Sequence, residues 1–142
     1  MQVKDVMTTS IETIHPNSSL QEAAERMKTL DVGPLPVCDG DELLGMITDR
    51  DIIVRAIAEG FGTNMGKVAD VMTQGVVYCF EDQDVREAAQ LMKENQIRRL
   101  VVLNRDKRLV GIVSLGDLAV ATGDEKLAGE TLERVSEPFI PV

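Results

Sequence analysis

The stretch "GMITDRD", Gly45 to Asp51, returns as "GIVSLGD", Gly111 to Asp117. Each copy keeps a glycine, then a hydroxyl three positions on (Thr48, Ser114), then an aspartate three further (Asp51, Asp117). Two chemistries fit that spacing. A hydroxyl at a helix N-cap with an acid at the third helical position forms a capping box, and the acid also favours the helix dipole. Alternatively, a helix N-terminus with a hydroxyl suits a phosphate, and a carboxylate one turn in accepts the two hydroxyls of a ribose. Two details favour the ligand. Asp is shorter than the Glu found at the third position of other helices in this chain, which makes it the poorer reciprocal cap. Gly45 and Gly111 leave room beside the strand. On these residues alone, capping and nucleotide binding both stay open.

The elements that must position these residues are themselves duplicated. "VKDVMT" (Val3 to Thr8) returns as "VADVMT" (Val68 to Thr73), and "EAAERMK" (Glu22 to Lys28) as "EAAQLMK" (Glu87 to Lys93). "LPV" (Leu35 to Val37) answers to "LVV" (Leu100 to Val102), and "LLGMITDRDI" (Leu43 to Ile52) to "LVGIVSLGDL" (Leu109 to Leu118). The second copy carries one extra residue in its "NRDKR" turn. Four blocks in one order make a tandem repeat.

Each copy reads as β-α-β-β-α, so the fold class expected is α/β in the α+β sense. The first strands are Ser10 to Ile14 and Gly75 to Phe80. Ser19 and Glu22 form an S-x-x-E capping box before an apolar face of Leu20, Ala23, Ala24, Met27 and Leu30. The matching helix starts at Asp84 and carries Val85, Ala88, Ala89 and Met92. Two strands follow, joined in the first copy by "DGDE". A second helix starts near Asp49 with Ile52, Ile53, Ala56 and Ile57. A unit of this size has little core of its own, so the two copies are expected to pack face to face in a pseudo-two-fold arrangement with a cleft between them. The expected divisions are repeat 1 over 1–58, a glycine-rich linker over 59–67, repeat 2 over 68–123, and a C-terminal helix and tail over 124–142.

The chain has 142 residues, 44% hydrophobic and only 3% aromatic, so its core must be aliphatic. A net charge of -9 argues against nucleic acid or an anionic membrane as partner. No apolar run approaches the ~18 residues of a spanning helix, and the start lacks a secretory segment; a cytoplasmic location is expected. Cys38 and Cys79 lie in apolar runs without a companion ligand and read as small buried hydrophobes, with no metal site. Met7, Met27, Met72 and Met92 recur at matching positions, which core packing explains.

In combination, "DVMT", "EAAERM", "GPLPV" and G-x-x-[T/S]-x-x-D, followed in the same order by the second copy's "DVMT", "EAAQLM", "RRLVV" and G-x-x-[T/S]-x-x-D, resemble a tandem pair of CBS domains, or Bateman module. The similarity runs from about Val3 to Thr122, and the chain is similar to the small stand-alone CBS-pair proteins. The resemblance implies a regulatory module that binds AMP, ADP, ATP or S-adenosylmethionine in the cleft between repeats. By position, Asp51 and Asp117 would bind ribose hydroxyls, with Thr48 and Ser114 near the phosphates. Adenine would lie against Val32, Gly33 and Pro36 in one half and Ile97, Arg98 and Val101 in the other, with His15 and Phe80 lining the same slots. It also implies homodimers, an unknown protein effector acted on in trans, and no resident cofactor, Mg2+ entering only with ATP.

The copies differ where phosphate would go. "QIRRLVV" sets Arg98 and Arg99 before a strand, where the first copy has Gly33 and Pro34. Guanidinium groups are strong phosphate partners, so the second site is expected to take the more highly phosphorylated nucleotide. Arg50 and Arg55 are the first site's alternatives. Catalysis is not expected: Asp49 and Asp51 of "DRD" could pair, but "LGD" loses one of them, and no nucleophile-base-orienter set occurs. The other reading is a structural or interaction protein whose Asp51 and Asp117 serve only as caps.

Overall fold

The computed structural model describes residues 1–60, 62 and 66–138. Of the expected linker 59–67, residues 61 and 63–65 lie outside the described residues, as do residues 139–142 of the tail. The chain folds as two compact units, Glu12–Val76 and Met1–Ile11 with Val77–Val142. These units do not follow the sequence repeats. The opening "VKDVMT" lies in the unit of the second copy, and "VADVMT" lies in the unit of the first.

In the first-copy unit, α1 (Leu20–Leu30) starts where Ser19 Oγ accepts the Glu22 N–H at 3.1 Å. It buries Leu20, Ala23 and Met27, whereas Ala24 and Leu30 of the expected face are exposed. Strand β1 (Pro34–Asp39) pairs antiparallel with β2 (Glu42–Thr48), Pro34 opposite Thr48, across a turn with Gly40 at φ +64°. The first strand expected over Ser10 to Ile14 shrinks to one parallel bridge: Ile14 N–H donates to Pro36 O, and Cys38 N–H to Ile14 O. The next rung toward Glu12 would need an N–H from Pro36, which proline lacks. In the second copy Val101 stands at that place, and β3 (Tyr78–Phe80) forms, parallel to β4 (Arg99–Leu103).

After Thr48, α2 (Asp49–Asp51) runs directly into a π-helical segment, Ile52–Ile57, with Ala58 N–H donating to Ile53 O at 2.9 Å. Ile52 and Ala56 face the core. Ile53 and Ile57 of the same segment are 59% and 54% exposed. Helix α3 (Val68–Val71) adds Val68 and Val71 to this core, and Thr73 pairs with Met46 on β2.

The second-copy unit repeats this plan. A 3-10 turn, Val3–Asp5, buries Val3, and Thr8 pairs with Ile112. Helix α4 (Val85–Asn95) follows β3 and buries Val85, Ala88, Ala89 and Met92. Strands β4 and β5 (Leu109–Ser114) pair antiparallel, Arg99 opposite Ser114, and α5 (Leu115–Thr122) starts at once. The expected C-terminal helix is α6 (Glu125–Ser136), capped by Asp124 Oδ1 and packed on α4 and α5 with Leu127 and Val135 inward. Ala89 is fully buried in this unit, whereas its counterpart Ala24 is exposed in the unit without an α6.

Both cores are built of aliphatic side chains and methionine among the described residues, with Cys79 added in the second-copy unit. Among the described residues, no helix is long and apolar enough to cross a membrane.

Candidate functional site

Each G-x-x-[T/S]-x-x-D stretch ends a strand and starts a helix with no residue between, so sheet register and helix start together fix the hydroxyl and the carboxylate. In the first-copy unit Asp51 N–H donates to Thr48 Oγ1 at 3.1 Å, and Thr48 N–H donates to Asp51 Oδ2 at 3.0 Å. In the second the bonds are Asp117 N–H to Ser114 Oγ at 3.0 Å and Ser114 N–H to Asp117 Oδ2 at 2.9 Å. Asp, expected to be the poorer reciprocal cap, closes the box in both copies. The extended N-cap backbone brings its N–H within reach of a two-carbon acid.

The glycines also have a structural partner. A Cβ on Gly45 would stand 2.7 Å from Thr73 O and 2.9 Å from Met72 Sδ; one on Gly111 would stand 2.5 Å from Met7 Sδ and 3.1 Å from Thr8 O. The room expected for a ligand is filled by the exchanged "DVMT" segments. These are anchored by Asp5 and Asp70, whose Oδ2 atoms accept the Gln2 and Lys67 N–H groups at 2.9 Å.

One carboxylate oxygen remains in each box. Asp51 Oδ1 lies 3.8 Å from Arg55 Nε, and Arg55 also donates to Val71 O. Asp117 Oδ1 has no hydrogen-bond partner among the described residues. Around Thr48 stands Gly33, just before β1, whose carbonyl accepts Asp49 N–H at 3.0 Å, with Val32 39% exposed beside it. Pro36 is buried further along β1. His15 is not brought to this end: Asn17 N–H donates to its Nδ1 and Asp39 lies 3.7 Å from its Nε2. Asp39 closes β1 about 16 Å along the strand from Pro34.

In the second-copy unit, Arg98 O accepts Leu115 N–H at 2.8 Å, which ties the arginine pair to the start of α5. Arg98, Arg99, Ser114, Leu115, Gly116 and Ala119 form one side of a cavity of about 610 Å³. Ala128, Gly129 and Leu132 of α6 form the other. Arg98 Nη2 donates to Ser136 Oγ at 3.2 Å, whereas the Arg99 guanidinium makes no hydrogen bond or ion pair among the described residues. Ile97 is half-buried against the core, and Val101 is buried. Phe80 pairs with Leu103, about 13 Å along β4 from Arg99, and lies under the Arg105 guanidinium at 4.1 Å.

The α6 wall was not foreseen from sequence. The amphipathic tail signals a helix, but nothing in it says where that helix docks. Burial pushes the Cys38 and Cys79 thiols up to about 11, with Asp41 adding to the effect at Cys38. No grouping of three or more metal-ligating side chains occurs among the described residues.

A family model described as "CBS domain" matches residues 3–57 and again 68–124. The chain is 43% identical over 138 residues to the CBS domain-containing protein YhcV of Bacillus subtilis, covering 97% of each. Among solved structures, CBSX2 in complex with AMP aligns with a TM-score of 0.74 at 28% identity, over 88% of this chain and 98% of that one. The CBS domain pair of protein MJ0100 in complex with 5'-methylthioadenosine and S-adenosyl-L-methionine aligns with a TM-score of 0.72 at 31% identity, over 89% and 98%.

Proposed function

Because the chain belongs to the CBS-domain family as a tandem pair, we propose that it is a regulatory module that binds adenosine compounds at Thr48/Asp51 and at Ser114/Asp117. The ligands are AMP, ADP, ATP or S-adenosylmethionine, and the output is a change in a protein partner acted on in trans. The observation that carries this reading is the duplicated box with its spare acceptor. Capping consumes Oδ2 in both copies; Oδ1 of Asp117 is left for ribose hydroxyls, and Oδ1 of Asp51, with Arg55 Nε at 3.8 Å, keeps capacity to accept them. The AMP and S-adenosylmethionine complexes of similar CBS proteins support the ligand class.

The two sites differ in charge. Arg99 and Arg98 beside Ser114 favour a polyphosphate in the second site, where the first has Gly33 and Pro34. Arg55 already serves Asp51 and Val71 O, so the first site favours a less charged ligand such as AMP or S-adenosylmethionine. The proposal includes homodimers, a cytoplasmic site of action, and binding without turnover. The exposed Ile53, Val54 and Ile57 supply an apolar face suited to such pairing.

A second reading, an interaction protein with no ligand response, is favoured by one finding: the capping boxes and the filled glycine notches account for the motif without a ligand. Thermal unfolding with AMP, ATP, S-adenosylmethionine and NADH separates the two. A ligand that binds only the native state raises the midpoint with the logarithm of its concentration over Kd. A rise with an adenosine ligand supports the sensor; no rise with any of the four supports the interaction protein.

A further inference from the structure

Helix α6 has no counterpart in the first-copy unit, yet it supplies half the wall of the cavity that holds the arginine pair. Its cavity side carries Ala128, Gly129 and Leu132, all uncharged. Its acids Glu130 and Glu133, with Glu137 just after it, line a different hollow with Gln90, Lys93 and Arg134, and Glu130 lies 3.9 Å from Lys93 Nζ. None of α6's carboxylates lines the cavity. A wall free of negative charge facing two guanidinium groups suits an anion. A glycine inside a helix weakens it relative to alanine, and a Cβ on Gly129 would meet nothing within 4 Å, so the residue keeps the cavity open rather than serving close packing.

The end of α6 is held by exposed polar bonds to the segment that leads into β4. Gln96 Nε2 donates to Arg134 O at 3.2 Å and to Glu137 O at 3.3 Å, and Arg98 donates to Ser136 Oγ. A polyphosphate that recruits Arg98 competes with Ser136 for the same guanidinium.

Resting on the nucleotide reading above, we propose that α6 is the outer wall of the second site and its output element. The phosphates enter between α5 and α6 past Gly129, and Arg98 exchanges Ser136 for phosphate, loosening the last turn of α6. Substrate class and signal then meet in one helix: a nucleoside polyphosphate reaches Arg98, whereas a ligand without phosphates does not.

The test is calorimetry with ATP on the full chain, with Asp51→Asn in every variant to weaken the first site. Gly129→Phe fills the cavity from the open side of α6 and is expected to weaken ATP at least tenfold, with the circular dichroism of the parent. Ser136→Ala frees Arg98 and is expected to tighten ATP about two- to fivefold, the share of one hydrogen bond. In hydrogen exchange, ATP is expected to speed the amides of 132–136, and S-adenosylmethionine is not. ATP affinity unchanged in Gly129→Phe overturns the wall, and affinity unchanged in Ser136→Ala overturns the exchange. If Asp117→Asn abolishes ATP binding while Gly129→Phe does not, only the inference on α6 falls. If the parent chain binds no nucleotide at all, the functional reading falls with it.

Discussion

Asp117→Asn separates the two tasks of one carboxylate. In the capping box only Oδ2 is used, accepting the Ser114 N–H at 2.9 Å, while Ser114 Oγ accepts the Asp117 N–H at 3.0 Å. An asparagine keeps an acceptor at the Oδ2 place and puts NH2, a donor, where Oδ1 stood. The cap survives, and the loss to folding is the charge near the helix N-terminus, about 0.5 kcal/mol. Alanine would instead remove the acid's half of the box at about 1 kcal/mol and blur the two effects. For a bound ribose, a donor replaces the carboxylate acceptor. Hydrogen bonds to charged groups contribute about 1.5–3 kcal/mol, so affinity should fall about 10- to 150-fold. The assay is calorimetry with ATP beside urea unfolding of the same protein. Weakened binding with near-parental unfolding is the expected pair of results. Unchanged affinity would refute the role of Asp117 Oδ1.

Gly45→Ala places a methyl 2.7 Å from the carbonyl of Thr73, backbone that has no room to yield; urea unfolding should show a loss of about 1–3 kcal/mol. Asp31 ends α1 in the left-handed conformation at φ 54°, so Asp31→Gly should stabilise by about 0.5–1 kcal/mol in the same assay. Cys38 and Cys79 are buried with thiol pKa raised from 9.0 to about 11, so Ellman's reagent at pH 8 should find them only after unfolding. The linked pH effect has a definite sign: the unfolded chain loses these protons from about pH 9 while the native state keeps them to about 11, so stability is full below 9 and falls between. Replacing both cysteines with valine should flatten that alkaline slope.

Much of the architecture was legible because repetition doubles every local signal. Ser19, Asp84, Thr48 and Ser114 all begin helices, and the Leu20/Ala23/Met27 stripe has the helical period. What was not legible is long-range. The "DVMT" segments look like the start of each copy, and only the fold shows that they pair with the other copy's strand, Thr8 with Ile112 and Thr73 with Met46. That exchange explains both glycines, which sequence alone ascribes to space for a ligand. Pro36 was visible, but its effect on the strand at Ile14 depends on which N–H the parallel ladder needs. The π-helical form of Ile52–Ile57 was not legible either, since the apolar residues there read as an ordinary second helix. Arg98 was foreseen beside Ser114, but its bond to Ser136 needed the position of α6.

The most direct measurement is a crystal of this chain grown with ATP. The expected result is a ribose whose hydroxyls lie within hydrogen-bond distance of Oδ1 of Asp117, with phosphate at Arg99. Both aspartates bonded to nothing but their N-cap amides, with no nucleotide density beside either, would contradict the proposed sensor.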